Sequence, residues 1–169
     1  MKDLLQFVAE NITEWNTSFA DPWDRDNGFE LNVIYPDEPG VYLFWAAKKD
    51  EVYYIGKASN SLQGRLKGKL IADLKEKRVL NEWTKEGKLL HRYPYLPQYV
   101  EHTTVLYTIT TPAEISPAEL ETILLAAHRV KYGALPEGNF SGGRELANSK
   151  DPEIIALLET IGKNLFSFL

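Results

Sequence analysis

Cysteine is missing from this chain altogether, which excludes a disulfide framework, a thiolate metal site and a cysteine nucleophile. Histidine is scarce: His91, His102 and His128 are the three present, and they are not at the close spacing of a metal-ligand pattern. Long apolar runs are also lacking. No stretch approaches the roughly 18 to 20 residues of a membrane-spanning helix. The opening MKDLLQFVAENITEW is polar-interrupted, without the apolar core and small-residue cleavage site of a secretion signal. The expectation is a soluble cytoplasmic protein with no membrane partner, free of internal repeats and low-complexity tracts.

What is present is enough for one core. A chain of 169 residues, 44% of them hydrophobic, can bury a sizeable interior but is short for two full domains. The net charge of −5 argues on its face against a nucleic-acid partner, which needs Lys and Arg for its phosphates. The charge is unevenly distributed, however. Residues 1–39 carry net −7, residues 48–92 net +6 and residues 93–169 net −4. The middle of the chain is therefore a candidate phosphate-facing patch, with the acidic first segment a candidate cover for it. Taken singly, Lys67, Lys69, Lys75 and Lys77 also read as the solvated face of a helix.

Apolar residues at Leu4, Leu5, Phe7, Val8 and Ile12 predict a first amphipathic helix from Asp3 to about Asn16. The Asp-, Pro- and Gly-rich stretch from Ser18 to Gly40 then reads as an irregular arm. Val41–Trp45 and Val52–Ile55 are β-branched and aromatic runs flanking a polar AAKKDE connection, which predicts an antiparallel hairpin. Asn60 or Ser61 can cap a helix from about Leu62 whose buried face is Leu66, Leu70 and Leu74. RYPYLPQYVEH, residues 92–102, reads as an ordered loop leading into a third strand, Thr103–Thr110. Ser116, Pro117 and Glu119 form a capping box at the start of the next helix, with Gly133 as its stop. After the Gly-rich loop ALPEGNFSGGREL, Asp151 and Pro152 open a last helix. The sum is an α+β fold: a small three-stranded, mainly antiparallel sheet flanked by helices. Its divisions are a helix and acidic arm over 1–38, a central unit over 39–145, and a C-terminal helix over 146–169 packed on the same domain.

The central unit holds a distinctive series: Gly40-Val41-Tyr42, eleven residues, Tyr54-Ile55-Gly56-Lys57, and Arg65 on the following helix. Strand tyrosines alone are ordinarily half-buried core aromatics, Arg65 and Glu121 alone a structural ion pair, and Asn139 alone a turn residue. Together, however, Tyr42, Tyr54, Lys57 and Arg65 can converge beside the hairpin. Over about residues 39–141 this series resembles the GIY-YIG nuclease superfamily, whose hallmark is a Gly-Ile-Tyr strand and a Tyr-Ile-Gly strand about ten residues apart. In that family a Lys or polar residue, a helical Arg, a helical Glu and a loop Asn follow; here these are Lys57, Arg65, Glu121 and Asn139. Glu121 is preferred to Glu119 because large aliphatics follow it two residues on, and because Glu119 already has a capping role. The chain departs from the family in its acidity and in a longer interval from Glu121 to Asn139.

The resemblance implies a GIY-YIG-like catalytic domain over 39–145 that hydrolyses phosphodiester bonds in DNA with one Mg²⁺ or Mn²⁺ ion. It implies Glu121 as the metal ligand, which suits an ion that keeps most of its waters. Tyr42 is then the general base, its phenol lowered from near 10 by Lys57. Tyr54 orients water or phosphate, Arg65 clamps phosphate with its planar fork, and Asn139 holds the site together. Lys57, Arg65, Lys67 and Lys69 would contact nucleic acid. Two other readings stay open: a catalytically silent nucleic-acid-binding module of the same fold, and an acidic protein-interaction domain.

Overall fold

The structure, a computed structural model, describes residues 1–20, 22, 33–46, 51–70 (side chains as far as Lys67) and 103–166. Leu74, Lys75, Lys77, His91, His102, the loop 92–102 and most of the irregular arm lie outside the described residues, as does the side chain of Lys69.

The described chain is α+β. Helix α1 spans Lys2–Asn11, followed by strand β1, Asn16–Ala20. The hairpin strands are β2, Gly40–Ala46, and β3, Glu51–Ala58, and a π-helical segment, Gly64–Leu70, follows them. Strand β4 is Val105–Thr110, and helices α2, Pro117–Tyr132, α3, Arg144–Ala147, and α4, Pro152–Phe166, complete the order. The sheet has four antiparallel strands in the order β1-β4-β2-β3, not the expected three. The additional strand is Asn16–Ala20, where the sequence suggests the end of a helix and the start of an irregular arm. NTSFA has no alternating apolar signal, and its burial pattern is that of an edge strand with little to cover it. Its place in the sheet comes from pairing with β4, a partner almost ninety residues away in sequence.

Alternation along the strands builds two cores, one on each face of the sheet. Val41, Leu43, Ile55, Tyr107 and Ile109 point to one side and pack with Leu5, Val8 and Ile12 of α1, Leu120, Ile123 and Leu124 of α2, and Leu158, Ile161 and Leu165 of α4. Tyr42, Phe44 and Leu106 point to the other and pack with Tyr35, Leu62 and Leu66. Full burial of Leu62 and Leu66 contributes about 1.5–3 kcal/mol each toward holding the π-helical segment on the sheet. The residues leading into the segment are also tied by their backbone, with Leu62 N donating to Glu38 O at 2.8 Å and Gln63 N to Pro36 O at 3.0 Å.

The local stop and start signals act as the sequence suggests. Ser116 Oγ accepts from Glu119 N at 3.2 Å, while the Glu119 carboxylate accepts from Ser116 N at 2.9 Å. That reciprocal cap holds the Glu119 carboxyl below its ordinary pKa. Gly133 ends α2 in the left-handed region at φ 76°, as a helix-stopping glycine does. Asp151 Oδ1 accepts from Glu153 N at 3.0 Å at the start of α4. Among the described residues no helix is long and apolar enough to cross a membrane.

Candidate functional site

Strand β3 is an edge of the sheet, so its outer side would present unpaired backbone groups. The loop after α2 covers that edge. Gly138 N donates to Tyr53 O at 2.8 Å. The Asn139 side chain then acts as a strand residue would: its Oδ1 accepts from Ile55 N at 2.9 Å and its Nδ2 donates to Ile55 O at 2.8 Å. Arg129 Nε holds the far end of the loop through Gly142 O at 2.9 Å. Gly143, at φ 66°, lies so close to α2 that a Cβ would fall 2.3 Å from Ala126 N.

Between this loop, the end of β3 and the π-helical segment lies a cavity of about 730 Å³. Tyr42, Tyr54, Lys57, Arg65, Glu121 and Asn139 all line it. They reach it from both faces of the sheet. Tyr42 stands opposite Gly56 in the β2–β3 register and Tyr54 opposite Phe44, on the side of the second core. Lys57, one residue after Gly56, points to the other side, where α2 brings Glu121. The two sets meet at the outer edge of β3, where Gly56 leaves room: the Tyr42 ring extends across it.

The register shifts between Phe44 and Trp45, so that β3 carries an extra residue, Tyr53, at a bulge. Bulges re-aim neighbouring side chains and are frequent beside functional sites. The rings of Tyr42 and Tyr54 are 6.1 Å apart, and each packs on Phe44, at 5.6 and 5.7 Å. Tyr42 is thus both of the things its sequence context offers: it is buried to 1% exposure, and it lines the cavity.

Two contacts organise the charges. Arg65 Nε donates to Tyr42 Oη at 3.3 Å. Lys57 Nζ donates to Glu121 Oε2 at 2.7 Å, with side-chain exposures of 41% and 19%. The cation on the Tyr42 hydroxyl is therefore Arg65, whereas the sequence reading assigned that role to Lys57. The reason is strand alternation, which sends residue 57 to the face opposite residue 56. Arg65 arrives at the start of the π-helical segment, where Ser61 Oγ caps the chain by accepting from Gly64 N at 3.0 Å. The wide π-helical turn, in place of the α-helix expected here, begins at a glycine of low helix propensity.

Lys67 is exposed on the same segment and is not among the residues lining the cavity. The cavity also draws on residues the sequence does not assign to the site: Ser59 with the capping candidates Asn60 and Ser61 on one rim, and Phe140, Ser141 and Gly142 on the other. The only sign of the second group was its position directly after Asn139. His128 turns away from the site. It is 6% exposed, its Nδ1 bonds Ala134 O at 2.7 Å, and its ring packs on Phe166 and Tyr132. Burial lowers its pKa.

Among the described residues no cluster of three or more His, Asp or Glu side chains forms a metal cage, and Glu121 is the acidic residue lining the cavity. That donor set suits one particular kind of ion. Mg²⁺ keeps several waters and takes one or two carboxylates plus substrate oxygens, so a single carboxylate on the wall of a wide polar cavity fits a largely hydrated ion. Lys57 competes for the same carboxylate. No family model, curated protein or solved structure matches the chain.

Proposed function

We propose that the chain is a divalent-metal-dependent endonuclease of the GIY-YIG type that hydrolyses phosphodiester bonds in DNA. The observation that carries this reading is the convergence of Tyr42, Tyr54, Lys57, Arg65, Glu121 and Asn139 on one cavity, from two strands, a helical segment, a helix and a loop.

Hydrolysis requires a water made nucleophilic and a place for the negative charge that builds on phosphate and leaving oxygen. Tyr42 would take the water's proton, with Arg65 Nε donating to its hydroxyl. Arg65 carries five N–H donors in a planar fork, so one guanidinium can hold the Tyr42 oxygen through Nε and address a phosphate through its terminal nitrogens. Tyr54, on the neighbouring strand, orients the water or a phosphate oxygen. Glu121 would hold Mg²⁺ or Mn²⁺, which when bound supplies Lewis-acid stabilisation of the developing charge. Lys57, on the cavity wall beside Glu121, would serve as a second cation for the substrate. Asn139 touches none of the chemistry; it is a positioning residue that fixes the loop to β3.

The test is incubation with plasmid, linear duplex and single-stranded DNA in Mn²⁺. The proposal expects cutting of at least one of them, stopped by chelation. Binding without cutting of any would instead indicate a silent nucleic-acid-binding module.

A further inference from the structure

We infer that Phe140 is a base-stacking wall of this cavity, and that the substrate presents an unpaired nucleotide to it, from a single strand, a flap or a loop. The inference rests on the nuclease reading above and adds the form of the nucleic acid.

Among the described residues, four large hydrophobic side chains are exposed, and Phe140, at 51%, is the one that lines the candidate site. Its surroundings in the cavity are polar and charged, with Lys57 paired to Glu121, and Arg65, Ser59 and Ser61 among them. An aromatic ring kept at the wall of such a cavity matches a ligand that is anionic at one end and a flat π-system at the other. A nucleotide has this form.

The loop that carries the ring is fixed on both sides of it. Asn139, the preceding residue, is fixed to the Ile55 backbone by two hydrogen bonds, and Gly142, two residues on, is fixed to Arg129. A ring mounted on a clamped loop has already lost much of the freedom that binding would otherwise remove.

The form of the substrate follows from which surface of a base is available. In a duplex the faces are stacked on their neighbours and only the edges are presented in the grooves. Faces become available to an aromatic side chain in single strands, loops and extruded nucleotides. Phe140 therefore favours unpaired over paired nucleic acid, whereas Arg65 and Lys57 address phosphates common to both.

The experiment uses a single-stranded oligonucleotide carrying 2-aminopurine and a terminal dye, and the matching duplex, at low salt in chelator so that nothing is cut. Anisotropy reports binding and 2-aminopurine fluorescence reports stacking. The wild type quenches 2-aminopurine on binding the single strand. Phe140→Ala binds the single strand about tenfold more weakly and loses the quenching, its duplex affinity is unchanged, and Phe140→Trp restores both signals. Equal quenching by wild type and Phe140→Ala, or an equal loss of single-strand and duplex affinity, overturns the inference. If the wild type binds neither oligonucleotide and Arg65→Ala changes nothing, the nuclease reading itself fails and takes this inference with it. That result is distinct from the first two.

Discussion

The Tyr42 hydroxyl lies directly over Gly56: a methyl group built on that glycine would fall 2.5 Å from Tyr42 Cζ, 2.6 Å from its Oη and 2.6 Å from Tyr54 Cε1. The glycine is needed for this close approach, since it lets the Tyr42 ring cross β3 to the cavity. Gly56→Ala must push both rings aside. Overpacking of this kind costs about 1–3 kcal/mol of stability, whereas a displacement of about 1 Å at a reacting group can cost 10²-fold in rate. The expected outcome is a variant still folded by urea denaturation, with cleavage reduced about 100-fold.

The ion pair between Lys57 and Glu121 predicts a competition that is measurable without any cleavage. Both partners are partly exposed, so their attraction is modest, about 1 kcal/mol or less. Lys57→Met removes the competitor for the carboxylate. Its affinity for Mn²⁺, followed by electron paramagnetic resonance of the free ion, rises several-fold, while thermal stability changes little. Lys57→Arg retains the competition and binds Mn²⁺ as the wild type does.

Asn139 replaces a missing strand partner for Ile55, so its amide is required in both directions, as donor and as acceptor. Asn139→Ala leaves the Ile55 groups without those bonds, at about 1–3 kcal/mol. Asn139→Asp fares no better, because a carboxylate cannot donate to Ile55 O. Hydrogen exchange should show the Ile55 amide losing protection in both variants, with the melting temperature lowered and cleavage reduced.

His128 makes stability depend on pH. Its buried ring has a pKa depressed below 6.5, so between the folded and unfolded pKa values the unfolded chain binds the additional proton. Stability then rises with pH across that window and falls as pH drops from about 7 through the folded-state value. Glu119 and Asp151, both with lowered pKa values, act at lower pH, where their stabilising contribution is lost on acidification. In melting curves between pH 5 and 8, His128→Phe should flatten the slope; an unchanged slope would remove His128 as its source.

The parts of the molecule that follow from neighbours in sequence were legible there. The capping box at Ser116, the stop at Gly133, the cap at Asp151 and the hairpin of β2 and β3 depend on residues a few positions apart. The parts that depend on distant partners were not. β1 is a strand because β4 pairs with it, and NTSFA carries no pattern that announces this. The six candidate residues were recognised by order and type, but their pairing required three dimensions: strand alternation joins Tyr42 to Arg65 and Lys57 to Glu121, where the linear reading had joined Tyr42 to Lys57. Phe140 is not legible in the sequence, because a phenylalanine in a Gly-rich loop has no signature until its neighbour is seen clamped to β3.

The most direct test of the central claim separates two glutamates on one helix. Glu121 faces the cavity, while Glu119, two residues earlier, caps the helix with Ser116. Glutamine can serve in a capping box, but it cannot offer the charge that a divalent ion needs. The measurement is the rate of Mn²⁺-dependent DNA cleavage by wild type, Glu119→Gln and Glu121→Gln. The account predicts that Glu119→Gln cuts at close to the wild-type rate and that Glu121→Gln, equally well folded, does not cut detectably. Cleavage that survives Glu121→Gln would contradict it.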